Sequence, residues 1–101
     1  AAARGLLEQA EAATALATAR VRMAASAQAV DQSTEAHRIV TRRYDGGLAT
    51  VVELFDAAAE ETAARLADAD ARYQFILALA RSRRATGQDP ADLAGLDEME
   101  P

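Results

Sequence analysis

Any catalysis by this sequence would have to start from a single histidine, His37, and sixteen carboxylates, since cysteine is absent. One His without Cys yields no Ser/His/Asp or Cys/His constellation. Zinc sites draw three or four ligands from His, Cys and carboxylates. Glu35, two residues from His37, lies off its face in a helix. A lone His at helical spacing therefore reads as a packed or solvated side chain. The adjacent carboxylates Glu60 and Glu61 read as a solvated helix face, not as a general acid and base. These residues predict no enzyme, no metal and no cofactor.

The acidic groups with positional meaning are Glu53 and Asp56, close behind Asp45-Gly46-Gly47-Leu48-Ala49-Thr50. Thr50 followed three residues later by Glu53 is a capping box, with Ala49 and Leu54 placed as a small hydrophobic staple. Asp56 suits the first turn of the same helix, where an acid meets the positive end of the helix dipole. Two adjacent glycines cost a helix about 2 kcal/mol relative to alanine. The spacing places Gly46 as the left-handed residue that ends the preceding helix.

The elements around this break follow from composition. More than a quarter of the 101 residues are alanine, with two Phe, two Tyr and no Trp. Alanine buries little area, so this chain suits long helices packed along narrow seams better than a compact globule. The first 44 residues contain one glycine, Gly5, and no proline, and predict a first long helix over 1–44, about 66 Å long. Its seam is read at Met23, Ala27, Val30, Thr34, His37, Thr41 and Tyr44. Residues 45–50 form the turn. The second helix is predicted over 51–86, with a seam at Phe55, Ala59, Thr62, Leu66, Ala69, Tyr73, Ile76 and Ala80 at the same four-three spacing. Glu61 with Arg65 and Asp68 with Arg72 form favourable pairs one turn apart. Gly87 stops this helix. Residues 87–101 then read as a short helical turn at Pro90–Ala94, opened by Asp89, and an acidic tail. The fold class is all-α: a long antiparallel helical hairpin, coiled-coil-like, that needs helical partners to cover its seams.

Net charge is −5. A nucleic-acid partner would want a basic stripe, so none is expected. The one basic cluster, Arg81, Arg83 and Arg84, sits where cations favour a helix C-terminus. No apolar run approaches the roughly 20 residues that span a bilayer.

The run from Arg43 to Ala57, Arg-Tyr-Asp-Gly-Gly-Leu-Ala-Thr-Val-Val-Glu-Leu-Phe-Asp-Ala, resembles the hairpin tip of the TolC family of outer-membrane efflux channels. There a tyrosine is followed three residues on by a glycine. A short turn then leads into an aliphatic–acidic–aliphatic run and Asp-Ala. Leu66, Ala69, Ala71, Arg72-Tyr73, Leu77 and the ending Arg84-Ala85-Thr86-Gly87 resemble the family's next helix, without gaps from Tyr44 to Gly87. Ala27 to Arg43 fits the preceding helix more loosely. The resemblance is to the periplasmic hairpin of the C-terminal repeat.

It implies a segment of the periplasmic α-helical tunnel of an efflux or type I secretion channel, a homotrimer whose β-barrel sits in the outer membrane. Nothing in this sequence alternates like a barrel strand, so the barrel would lie outside this chain. Tyr44, Asp45, Gly46, Gly47, Leu48, Ala49 and Thr50 would form the tip that meets the periplasmic adaptor (membrane fusion) protein. Glu53 and Asp56 would supply acidic rings at the channel entrance. Ala49 departs from the family, where an arginine can stand and help hold the closed state. The competing expectation is a free-standing helical hairpin that dimerises into a four-helix bundle.

Overall fold

A computed structural model describes residues 2–87, all of them helix or tight turn. Helix α1 runs Ala2–Asp45 and helix α2 runs Val51–Ala85. The fold is the expected helical hairpin. The helix ends fall within one residue of expectation: Asp45 closes α1 instead of opening the turn, and α2 stops at Ala85. The expected helical turn at Pro90–Ala94 and the acidic tail lie outside the described residues.

Both helices end on favourable charges. Arg42 and Arg43 occupy the last turn of α1, and Arg83 and Arg84 that of α2, against the negative end of each dipole. Several serines and threonines bond within their own helix. Thr14, Ser33 and Thr41 donate to the carbonyls of Ala10, Val30 and His37 at 2.8–3.0 Å, the usual way for a helix to tolerate a hydroxyl.

The chain divides into two compact units. The turn unit is Arg22–Ala71, and the terminal unit is Ala1–Val21 with Arg72–Pro101. In the turn unit the half-buried or buried residues of α1 are Met23, Ser26, Ala27, Val30, Ser33, His37, Val40 and Thr41. Those of α2 are Leu54, Ala57, Ala58, Glu61, Ala64, Asp68 and Ala71. Both sets keep the heptad spacing of a coiled seam. In the terminal unit Ala12 and Ala19 of α1 and Ala78 of α2 are buried, with Ala15 and Leu16 of α1 and Phe75, Leu79, Ala80, Ser82 and Ala85 of α2 half-buried. Among the described residues the only buried hydrophobic side chains are Ala12, Ala19, Ala57 and Ala78, and none is fully sealed from solvent.

This corrects the expected seam of α2. Phe55, Leu66, Tyr73 and Ile76 are 58–67% exposed, and Ala59, Thr62 and Ala69 are exposed too. Of that stripe only Ala80 is half-buried. The inward stripe is the neighbouring one, built of small and polar residues. On α1 the expected seam is nearer: Met23, Ala27, Val30, His37 and Thr41 are half-buried, while Thr34 and Tyr44 are exposed. The cause is geometric. Two stripes on α2 share one period, and the smaller side chains allow closer approach, with polar partners waiting on α1.

Candidate functional site

The turn is closed by two end motifs that leave its tip bare. Gly47 has φ +77°. Its N–H donates to the Tyr44 carbonyl at 3.0 Å, and the Leu48 N–H donates to the Arg43 carbonyl at 2.7 Å. This pair of bonds is a Schellman motif with Gly47 at the left-handed position. The expectation had placed Gly46 there. Gly46 instead continues the helical pattern, its N–H reaching the Arg42 carbonyl at 3.1 Å. Either glycine satisfies the same sequence signal, and the extra helical residue moves the reversal one place on.

The capping box forms as expected. The Thr50 N–H donates to Glu53 Oε2 at 3.2 Å, and the Glu53 N–H donates to Thr50 Oγ1 at 3.1 Å. Ala49 and Leu54, the staple positions, are both half-buried. Glu53 therefore has a structural task in full, whatever else it does. Asp56 is exposed one turn into α2.

Between and beside these caps the tip presents apolar surface. Leu48 is 74% exposed, with Tyr44, Val51, Val52 and Phe55 also exposed. Burial cannot account for five large apolar side chains on a helix turn held by satisfied backbone bonds. Exposed apolar side chains gathered on a turn can serve in recognition.

A second constellation was not legible in the sequence. Glu61 lies in the seam of the turn unit with its side chain 18% exposed. His37 Nδ1 stands 2.6 Å from Oε1, Thr34 Oγ1 donates to Oε2 at 3.2 Å, and Arg65 donates to Oε2 from Nε at 3.0 Å and Nη2 at 2.8 Å. The His37 bond first, and Arg65 next, hold the Glu61 carboxyl down at about 2, against the cost of desolvation. An ionised carboxylate only accepts, so His37 carries a proton on Nδ1. One heptad further along α2, Asp68 Oδ1 accepts from Ser26 Oγ at 3.0 Å. The i,i+4 pairing of Glu61 with Arg65 is as expected. Placing Glu61 on a solvated face was wrong, because the residue turns inward to meet His37.

The cluster ties α1 to α2 through one carboxylate, with Oε1 facing His37 and Oε2 accepting from Thr34 and Arg65. Glu35 bonds Arg38, with Nε to Oε2 at 2.9 Å, and not His37. No group of three or more potential metal ligands exists among the described residues. None of the described helices is long and apolar enough to cross a membrane. In the terminal unit, Glu8, Glu11, Arg81 and Arg84 border an open groove of about 290 Å³ floored by Ala12 and Ala85. It mixes both signs of charge and converges on no single ligand chemistry.

The chain matches no protein-family model, no curated protein and no solved structure.

Proposed function

We propose that this chain is a periplasmic tunnel segment of an outer-membrane efflux or type I secretion channel of the TolC type, its tip docking a periplasmic adaptor protein. The observation that carries the reading is the bare tip: Leu48 stands 74% exposed on a turn closed by the Schellman motif and the capping box. Gly47 keeps the reversal tight, and its added Cβ would meet nothing within 4 Å. A partner backbone can therefore approach closely there. Asp56, together with a capped Glu53, places negative charge just behind the tip, where copies arranged around an axis would line an entrance. In this reading the chain catalyses nothing, takes no cofactor, works as a trimer and binds no nucleic acid.

Two measurements test it. The coding region around this segment should contain a second helical hairpin and alternating segments for a barrel; their absence overturns the proposal. In cells that export through the parent protein, Leu48→Asp should reduce export while leaving the level of the protein in the membrane unchanged. Unchanged export by that variant removes the tip from the mechanism.

A further inference from the structure

The large apolar residues that α2 turns away from α1 are in register with one another. In the turn unit this outer stripe is Phe55, Ala59, Thr62, Leu66 and Ala69, all exposed; in sequence the same spacing continues through Tyr73 and Ile76. A three-four repeat sustained on an exposed face matches another helix of the same pitch, whose knobs fill its holes. Phe55 and Leu66, 66% and 67% exposed, are the two large anchors. The smaller Ala59, Thr62 and Ala69 between them allow close approach.

The flanks of the stripe say which helix. Asp56 and Asp70 border it on one side and Arg65 on the other, all exposed. Arg72 falls on the Arg65 side in the same register. Charges at these flanking positions set partner choice and orientation in coiled coils. If two copies of α2 pair in parallel, the Arg65 flank of each faces the Asp70 flank of the other. In an antiparallel pair Arg flank would meet Arg flank and Asp flank would meet Asp flank, which is destabilising. Arg65 already bonds Glu61, but its side chain is still 57% exposed, and a guanidinium has five N–H donors.

We propose that the outer face of α2 is a self-association surface that binds α2 of a second copy in parallel and in register, with Arg65 against Asp70 of the partner. The stripe and its flanks determine this pairing independently of the channel reading. It also places the two Leu48 tips at the same end of the pair.

Light scattering across a concentration series, with helicity followed by circular dichroism, reads the association. Leu66→Asp alters only an exposed side chain, so helicity should hold while the pair weakens by roughly 30-fold or more. Asp70→Arg should weaken it about tenfold, and Asp70→Asn, which removes the charge without reversing it, by less. Orientation is read separately, because the chain has no native cysteine. Ala59→Cys and Ala69→Cys should each form a disulfide-linked dimer with itself on mild oxidation, faster than Ala36→Cys on the exposed face of α1. A chain monomeric at every concentration overturns the proposal. So does cross-linking of Ala59→Cys with Ala69→Cys but of neither with itself, and so does an Ala36→Cys variant that links equally fast.

Discussion

In the turn unit the apolar seam is crossed by bonds among hydroxyls, a histidine and carboxylates; in the terminal unit the buried positions are alanines, with Leu16, Phe75 and Leu79 half-buried beside them. Ser26 reaches Asp68, while Thr34 and His37 reach Glu61. Against these, the terminal unit shows Ala12, Ala19 and Ala78 buried and Gln9 Nε2 donating to the Ala85 carbonyl at 3.3 Å. Directional bonds between unlike groups specify one register and reject a slipped one. Alanine methyls allow helices to come close but distinguish weakly between registers, since every third or fourth residue offers the same methyl. The turn unit is therefore the part that fixes the pairing, and the terminal unit is the part that depends on tight fit.

That contrast can be broken from the terminal side first. Ala78→Leu inserts three heavy atoms into a seam sized for a methyl, and should destabilise by about 1–3 kcal/mol. Amide hydrogen exchange should show the loss in residues 2–21 and 72–87, with the turn unit protected as before. Equal loss of protection in both units would show that they unfold as one.

The next effect lies at the turn. Gly47→Val forces a branched side chain to φ +77° and should cost about 1–2 kcal/mol, read as a lower thermal midpoint. Gly46→Ala is the contrasting change. Gly46 has no positive φ, and an added Cβ would lie 3.5 Å from the Arg42 carbonyl oxygen, an ordinary contact. That variant should melt close to the parent. Thr50→Ala removes the cap bond to the Glu53 N–H and should cost about 1 kcal/mol, again by thermal melting.

The last effect sharpens the comparison by pH. Glu61 has its folded carboxyl held down at about 2, mainly by His37. A carboxyl depressed in the folded state adds stability above its ordinary value near 4.5, and that contribution fades as pH falls from there towards 2. Melting curves between pH 5 and pH 2 should therefore show a loss that Glu61→Gln lacks. The difference should appear in exchange of the turn unit and not of the terminal unit. Parallel curves for the two proteins would remove the cluster from the stability of the seam.

Much of this was legible in the residues. The glycines after Asp45, the Thr50–Glu53 spacing and Gly87 announce where helices stop and start, because caps are local chemistry. Gly87 indeed has φ +80°. The seam of α2 was not legible. Its two candidate stripes share one period, and ranking them by apolar size selects Phe55, Leu66, Tyr73 and Ile76, the outward stripe. The inward one is recognisable only with α1 beside it, because Glu61 and Asp68 become suitable seam residues once Thr34, His37 and Ser26 face them. The tip residues were legible as a turn. An exposed Leu48 was legible with it; that Tyr44, Val51, Val52 and Phe55 stay uncovered too could be seen only in three dimensions.

The four buried alanines have a calorimetric consequence. Heat capacity on unfolding comes mainly from newly wetted apolar surface, and ordinary domains gain roughly 12–15 cal/mol/K per residue. A hairpin whose buried hydrophobic residues, among those described, are Ala12, Ala19, Ala57 and Ala78 has little such surface to wet. Its stability should change gently with temperature, with a broad melt and a shallow dependence on denaturant.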